Sequence, residues 1–228
     1  MKPNIKIVIA CAGSKVADAG RMERDEHAVE FVALPHEASS QKDVLYAHPD
    51  DKVDDNADDG QSWRQKLCDY NKKYRNKRSD NPLNLKPAYL LYKPPIYRQL
   101  VAHYGCDNVF ILSAGWGLLD ASFLTPYYDI AFSKQAERYK RRDPKDTYED
   151  LCFLPPSDDK VVFFGGKDYL PMFLELTKNY KKRWVFYNSA CTPSVSQNCA
   201  LRRYETRTRT NWHYCAAQDF MAGKIACP

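Results

Sequence analysis

The sequence contains no long hydrophobic run. None of its apolar stretches approaches the roughly 20 residues that a membrane-spanning helix needs. The N-terminal segment MKPNIKIVIACAGSK reaches a lysine after an apolar stretch that is too short for a secretory signal. Together these features predict a soluble, cytosolic (cytoplasmic) protein.

Motifs of metal and cofactor chemistry are also missing. The eight cysteines include no C-x-x-C pair, which a structural zinc site normally has, so we expect reduced thiols. The five histidines form neither H-x-x-x-H nor H-E-x-x-H. The chain also lacks the Walker, G-x-G-x-x-G and G-x-S-x-G motifs. We therefore expect no metal and no cofactor.

Charge is unevenly distributed along the chain, although the net value is only +5. Residues 16–60 hold 4 basic and 13 acidic residues, whereas residues 64–104 hold 10 and 2, and residues 178–209 hold 8 and 1. Basic blocks interleaved with aromatics, as in WRQKLCDYNKKYRNKR, suit a surface that follows phosphates, although a solvated helix face is the plain alternative. The residues that we expect to contact the backbone of double-stranded DNA are Lys72, Lys73, Arg75, Lys77, Arg78, Arg202 and Arg203.

Four apolar runs predict a mainly parallel sheet. They are Ile5–Ala10, Val109–Ser113, Val161–Phe164 and Trp184–Tyr187. Each ends in small or polar residues, and helix-length segments separate them, which is typical of an α/β fold with helices around a central sheet. We predict helices within residues 62–77, 94–104, 169–180 and 211–221. The chain of 228 residues is predicted to be a single domain, with residues 16–60 as an inserted, partly flexible acidic segment.

Three of the segments that follow strands have the composition of ligand-binding turns. In such sheets ligands collect at the carboxyl ends of the strands. Cys11, Ser14 and Lys15 lie in CAGSK after the first strand, and Gly165, Gly166 and Tyr169 lie in GGKDY after the third. Asn188 ends the fourth strand with an amide that can read the edge of a base. Ordinary turn chemistry is the alternative for each of these segments.

The segment Val109–Asp129, VFILSAGWGLLDASFLTPYYD, is predicted to be a buried strand running into a substrate-binding loop. It combines Ser113, an exposed-looking Trp116, Tyr127 and two acids, Asp120 and Asp129. Aromatic rings can stack on a base, and a carboxylate beside them can stabilise positive charge or orient water. Alternatively, Trp116 packs into the core and Asp120 caps the next helix.

These residues resemble the YaaA group of peroxide-stress proteins and related phage and bacterial domains. The likeness rests on Leu112-Ser113, Gly115–Leu119, Asp120 and Pro126-Tyr127, and CAGSK and GGKDY fit the same relatives. The resemblance implies a DNA-binding α/β protein, and some similar defence proteins are DNA glycosylases acting on phage DNA. The chain differs from better-known members in its acidic insertion and in Tyr128-Asp129, which stands in place of a basic residue.

The leading functional hypothesis is a DNA N-glycosylase that flips and excises a modified base from phage DNA. The most specific candidate for this base is glucosylated hydroxymethylcytosine. Asp129, with Asp120 second, would stabilise the cationic sugar and orient water. Trp116, Tyr127 and Tyr169 would line the base pocket, while Ser14, Lys15 and Asn188 would contact phosphate or base. Lys15 could instead form a Schiff base. The alternatives are a non-catalytic, DNA-binding stress protein and a nucleoside or nucleotide hydrolase or transferase.

Overall fold

The computed structural model describes residues 5–39, 44–54, 60–76, 80–195, 198–206 and 210–227. The strands are β1 (Ile5–Ala10), β2 (Met22–Arg24), β3 (His27–Phe31), β4 (Val44–Ala47), β5 (Lys86–Pro87), β6 (Val109–Ser113), β7 (Gly117–Asp120), β8 (Leu124–Thr125), β9 (Leu151–Cys152), β10 (Lys160–Phe164), β11 (Arg183–Tyr187) and β12 (Cys199–Arg203). The α-helices are α1 (Trp63–Tyr74), α2 (Ala88–Leu91), α3 (Ile96–Tyr104), α4 (Leu170–Leu176) and α5 (Trp212–Met221).

A seven-stranded, mostly parallel sheet forms the centre of the fold, in the order β12-β11-β10-β1-β6-β7-β9. The strands from β12 to β6 in this order all run parallel, while β7 returns antiparallel to β6. This architecture confirms the predicted α/β class. All four predicted strands are present, and β1 lies centrally between β10 and β6, as its apolar, β-branched sequence indicates.

Aromatic side chains of β10 fix helices on both faces of the sheet. Phe163 stacks on Phe173 of α4, with ring centroids 4.5 Å apart. The next residue, Phe164, points to the other face, where its ring lies 5.5 Å from that of Phe220 in α5. Because successive side chains of a strand alternate between faces, the pair of phenylalanines holds a helix layer on each side.

The parallel strands end at one common edge of the sheet, which we call the carboxyl edge. The order of the strands reverses there, because the chain passes from β1 to β6 on one side and then to β10 on the other. Such a reversal leaves a crevice outside the strand ends, which is the usual ligand position in open α/β sheets. Cys11, Ser113 and Gly165 stand at the ends of β1, β6 and β10 around it.

The expectation of a binding loop directly after β6 is only partly met, because a tight hairpin follows this strand. β7 pairs with β6 from Ser113 opposite Gly117 to Phe110 opposite Asp120. Trp116, in the hairpin turn, is fully buried, so the expectation that it is exposed is wrong. Its ring packs edge-on against Phe31, with centroids 4.8 Å apart, because β3 lies over the turn.

The described part of residues 16–60 forms a second, three-stranded sheet in the order β2-β3-β4. Met22, Val29 and Phe31 of this sheet are buried in the common core. Phe31 also forms a bridge with Tyr128 of the Pro126–Asp129 segment. The acidic segment is therefore attached to the carboxyl edge by apolar contacts. Residues 40–43 and 55–59 lie outside the described residues.

Two buried arginines hold polar segments against the same region. Arg142 binds Asp150 with both terminal nitrogens, at 3.0 and 2.6 Å, and donates a 2.9 Å hydrogen bond to the Ala114 carbonyl. Arg64 of α1 pairs with Asp50 of the acidic stretch. These charges are nearly excluded from water, so each needs its partner to offset the cost of burial. Among the described residues, no helix is long and apolar enough to cross a membrane.

The hairpin turn generates the first prediction, for Gly117→Ala. Gly117 has a φ of +97°, and a Cβ there would lie 2.2 Å from the Leu151 carbonyl oxygen. Positive φ and a backbone clash together should lower the free energy of unfolding in urea by about 2 kcal/mol or more. Gly166→Ala is the matched control, since no atom lies within 4 Å of its Cβ position. Equal stability of the two variants would contradict the packing of the β7–β9 pair.

Candidate active site

The CAGSK turn is divided between the surface and the interior. Its start is fixed by the Cys11 N–H, which donates to the Leu112 carbonyl of β6 at 2.9 Å. Ser14 is exposed, and its carbonyl accepts a 3.1 Å hydrogen bond from the Lys93 N–H. Lys15, in contrast, is only 7% exposed. The turn therefore presents Ser14 to solvent and directs Lys15 inward.

Lys15 is a buried amine with little direct hydrogen bonding. Its Nζ lies 4.1 Å from the centre of the Tyr128 ring, and its contact with the Gly13 carbonyl oxygen is long, at 3.5 Å. Burial lowers the pKa of Lys15, while the negative charges of Asp129 and Glu30 oppose this shift. A lysine in such surroundings gives up its proton more readily than an exposed one, which suits proton transfer or nucleophilic attack.

A network of hydroxyl groups surrounds this amine. Tyr128 bonds both the Tyr92 and the Ser113 hydroxyl groups at 2.9 Å. The Cys11 thiol lies 3.1 Å from the Tyr169 hydroxyl. Burial raises the pKa of Tyr92, Tyr128 and Tyr169 well above the usual value. These tyrosines therefore stay neutral and can donate or accept hydrogen bonds, but they do not act as bases near neutral pH.

Asp129 lies at the solvent side of the same cluster. In the extended segment 127–129, Tyr128 points into the core, whereas Tyr127 and Asp129 are partly exposed. The Asp129 carboxylate forms a 2.9 Å ion pair with Lys140. Burial alone would lower the pKa of Lys140, but the hydrogen bonds that its ammonium group donates to the Glu137 and Asp129 carboxylates raise this pKa above its usual range. Asp129 is thus a solvent-accessible carboxylate with one fixed cation beside it.

Ser113 and Trp116 are both buried, so they stabilise the hairpin turn and are not accessible to a ligand. The Ser113 hydroxyl accepts the N–H groups of Gly115 and Trp116, at 3.3 and 3.1 Å, and is fully buried. It therefore fixes the hairpin turn and orients the Tyr128 hydroxyl. Trp116, in this turn, is fully buried and does not face an accessible pocket.

Asp120 is not brought together with the other predicted site residues. It is the last residue of β7, opposite Phe110 near the start of β6, and so lies away from the carboxyl edge. Its carboxylate binds Arg75 at 2.6 Å and accepts hydrogen bonds from the backbone and side chain of Ser122. These contacts indicate that Asp120 joins α1 to the turn after β7.

The predicted DNA-backbone residues separate into two places. Arg75 is bound to Asp120, and Lys72 and Lys73 are exposed in the last turn of α1 at that same end. Arg203, in contrast, pairs in register with Tyr187 at the carboxyl edge, and Arg202 precedes it. Lys77 and Arg78 lie outside the described residues. Among the predicted backbone residues that the structure describes, only the β12 pair therefore stands at the edge that holds Lys15 and Asp129.

Sequence reasoning missed a basic loop beside this edge. Lys134, Arg138, Arg141 and Arg142 line a pocket of about 270 Å³ that also contains Phe132 and Asp168. Phe132 packs edge-on against Tyr169, with centroids 4.8 Å apart. The cations of the loop therefore lie next to the GGKDY segment. The sequence of this loop has no periodic pattern that would have identified it. Its position next to the GGKDY segment is visible only in the tertiary structure.

A second, smaller pocket opens between the ends of β10 and β11. It has a volume of about 180 Å³ and is lined by Gly165, Gly166, Asn188 and Trp212, among other described residues. A Cβ at Gly165 would lie 2.3 Å from the Phe163 ring, so this glycine is needed for packing. Gly166 has open space above it. Both predicted glycines and Asn188 thus line one pocket.

Three aromatic residues of the site lay outside the sequence prediction. Tyr97 donates a 2.8 Å hydrogen bond to the Ala10 carbonyl, and its hydroxyl lies 3.3 Å from that of Tyr214. Tyr97 shares the buried face of α3 with Leu100 and Tyr104, so helical periodicity was an available signal. Trp212 similarly faces inward with Ala216 of α5. No local sequence pattern indicates that Tyr92 lies in the site, where its hydroxyl group bonds that of Tyr128.

The fold and site define an α/β protein with a buried lysine, neutral tyrosines and an accessible carboxylate at the carboxyl edge. Across the described residues, no group of three His, Cys, Asp or Glu side chains is placed to hold a metal ion. No protein-family model, curated protein or solved structure matches the chain. The resemblance to the YaaA group therefore stays a prediction.

The environment of Lys15 predicts a pH-dependent effect of Lys15→Met on stability. Because burial lowers the pKa of Lys15 below 10.5, folding near neutral pH must bury an ammonium group. Methionine removes this cost, so the variant should be more stable at neutral pH, by about 1 kcal/mol or more. The gain should shrink as the pH rises through the lowered pKa of the folded state and should vanish above 10.5, where the amine is neutral in both states.

Urea unfolding of both proteins from about pH 7 to pH 10 measures this difference. Lys93→Met, at an exposed position on the same side of the fold, controls for the loss of one positive charge. A destabilised Lys15→Met variant at every pH would show that the amine is held by attractive contacts that outweigh its burial.

Proposed function

We propose that the protein is a DNA N-glycosylase that excises a modified base, of the kind that phage DNA carries. The observation that supports this most is the clustering of Lys15 and Asp129, whose charges interact, at the edge of the sheet where a pocket of about 180 Å³ also opens between the ends of β10 and β11. A glycosylase needs these parts: a pocket for the flipped base, an anion near the sugar and a proton donor for the leaving base.

Asp129 is the carboxylate in this proposal. Breaking the N-glycosidic bond leaves positive, oxocarbenium-like charge on the sugar, which a nearby anion stabilises. The same carboxylate takes a proton from the water that adds to C1′. The ion pair with Lys140 holds the Asp129 side chain in place while leaving it 30% exposed. A substrate sugar and a water molecule can therefore approach it from solvent.

Lys15 is the proton donor to the departing base. Burial lowers its pKa, so its ammonium form is a stronger acid than an exposed lysine. Donation of this proton to the base neutralises the negative charge that the leaving group acquires. Asp129 then returns a proton to the amine through water, which closes the cycle without a cofactor. The Tyr92–Tyr128–Ser113 hydrogen bonds keep the ring beneath Lys15 fixed.

Basic side chains near the carboxyl edge supply contacts to the DNA backbone. Arg203 lies at the end of β12, and Lys134 and Arg138 are exposed in the loop beside Tyr169. Phosphate contacts of this type are independent of sequence and depend strongly on salt. The lysines of α1 are farther from the proposed reaction centre and are not required for base release.

The proposal predicts that Asp129→Asn abolishes base release and retains DNA binding. Loss of the charge that stabilises the sugar should lower the rate about a thousandfold. Mass spectrometry of bases released from plain and hypermodified phage DNA measures the activity, and a gel-shift titration measures binding. Asp158→Asn, an exposed carboxylate before β10 at the opposite end of the sheet, is the matched control.

The outcomes separate the proposal from its rivals. Full activity of Asp129→Asn would remove this residue from the mechanism. Salt-sensitive binding without release of any base would favour a non-catalytic DNA-binding protein. Release from mononucleosides in the absence of DNA affinity would identify a nucleoside hydrolase.

Lys15→Met should lower base release about a hundredfold, because the leaving base loses its proton donor. Borohydride treatment of the wild-type reaction should trap no covalent DNA adduct, since water rather than the amine attacks C1′. An adduct that forms in the wild type and disappears in Lys15→Met would instead assign the amine as a nucleophile that forms a Schiff base.

A further inference from the structure

The three-stranded sheet of the acidic segment carries a carboxylate to the candidate site. In β3, Val29 and Phe31 are buried, whereas Glu30 between them is only partly buried and so lies on the opposite face. Phe31 forms a parallel bridge with Tyr128, and its carbonyl accepts a 2.8 Å hydrogen bond from the Asp129 N–H. The strand therefore runs directly beside the segment that holds Asp129.

Two carboxylates lie on the outer face of this pairing, and each has its own cation. Glu30 forms a 3.1 Å ion pair with Arg21, and Asp129 forms the 2.9 Å pair with Lys140. The Glu30 side chain is only 19% exposed, so water and salt screen its charge less than that of a fully exposed glutamate. Arg21 also lies over the ring of Tyr127, 4.5 Å from the centroid. Glu30 is therefore held close to Tyr127.

The buried amine of Lys15 lies near the same aromatic ring. Its Nζ is 5.7 Å from the centroid of Tyr127, on which Arg21 is also placed. Burial lowers the pKa of Lys15, and the charges of Asp129 and Glu30 oppose that shift. A negative charge near an amine favours its ammonium form. The acidic segment therefore contributes to the protonation of Lys15 through Glu30.

Several titratable groups face Lys15 within the described part of the chain. They are Cys11 of the same turn, Tyr92 after α2, Glu30 of β3, and Tyr127, Tyr128 and Asp129 of the extended segment. Burial raises the pKa of all three tyrosines, so they stay neutral near neutral pH. Arg21 and Lys140 lie beyond the two carboxylates, as their partners. The proposed reaction already uses Asp129, whereas Glu30 has no part in it.

We infer that Glu30 is a positioning residue for the proposed reaction, and that its negative charge holds the buried amine of Lys15 in the ammonium form. The inference deepens the proposed function and rests on it for the use of that proton. Glu30 touches no reacting atom and acts through Lys15. The acidic segment thereby keeps the proton donor charged, in addition to packing on the core.

The test follows the protonation of Lys15 directly, by NMR of the intact protein labelled with ¹³C in its lysines. The signal that Lys15→Met removes is assigned to Lys15. Glu30→Gln should lower the midpoint of this titration by about 1 pH unit, because the amine loses a negative neighbour. Glu23→Gln, an exposed position of β2 in the same sheet, controls for the loss of one negative charge and should keep the wild-type midpoint.

A second pair of variants separates the charge of Glu30 from its structural contact. Arg21→Gln breaks the same ion pair but leaves the carboxylate, so it should not lower the midpoint. The double variant Arg21→Gln/Glu30→Gln leaves neither charge unpaired, and its midpoint should lie below that of Arg21→Gln alone. This comparison tests the charge even if Glu30→Gln alone does not fold.

The pH dependence of base release from hypermodified phage DNA is measured on the same proteins. Because the ammonium form donates the proton, the rate should fall at high pH. Glu30→Gln should move this fall about 1 pH unit lower, whereas Glu30→Asp, which keeps the charge, should leave it near the wild-type position. A lower rate at every pH with an unmoved fall would make Glu30 a purely structural residue and would overturn the inference.

Equal Lys15 midpoints in wild type and folded Glu30→Gln would also overturn the inference, as would an equal decrease in Glu30→Gln and Arg21→Gln. The outcomes for the proposed function are separate. Base release with an unchanged Lys15 midpoint in Glu30→Gln would keep the proposed function and remove the role of Glu30. A lowered midpoint without base release from any DNA would keep the link between Glu30 and Lys15 and reject the glycosylase.

Discussion

The hydroxyl group of Tyr128 is the contact on which the arrangement of the site depends. It bonds Ser113 at the end of β6 and Tyr92 after α2, while the ring lies beneath Lys15. Gly115 lies against this ring, where a Cβ would approach it to 3.0 Å. One buried phenol therefore joins several chain segments at the crevice where the strand order reverses. The uncharged hydroxyl satisfies these partners without adding a charge to the interior.

This arrangement places groups of different character side by side. Burial moves the amine of Lys15 toward its neutral form, while Asp129 stays accessible to solvent and paired with Lys140. A buried ammonium group that acts as an acid, beside an accessible carboxylate, is a common basis of proton-transfer catalysis. The proposed glycosylase uses this difference in environment between Lys15 and Asp129.

Much of the fold was predictable from local sequence. The apolar, β-branched runs predicted the central parallel strands. Apolar periodicity predicted α1, prolines at a first turn predicted α3, and the helices expected within residues 169–180 and 211–221 are also present as α4 and α5. The short strands β7 and β9 were not predictable in the same way. Gly117–Asp120 forms a strand because it pairs with β6 and because the preceding Trp116 packs against Phe31, and neither partner is encoded in the segment itself. Tertiary pairing outweighed local preference there.

The sequence by itself determined that small and polar residues follow the parallel strands, and therefore that Cys11, Lys15, Gly166 and Asn188 meet at one edge. That result follows from the shared direction of the strands. Only the tertiary structure decided which of the two acids belongs there. Asp120 and Asp129 are close in sequence, but the antiparallel return of β7 carries Asp120 away to Arg75. Burial likewise depends on all neighbouring segments, which is why Trp116 became core while Trp212 became a pocket wall.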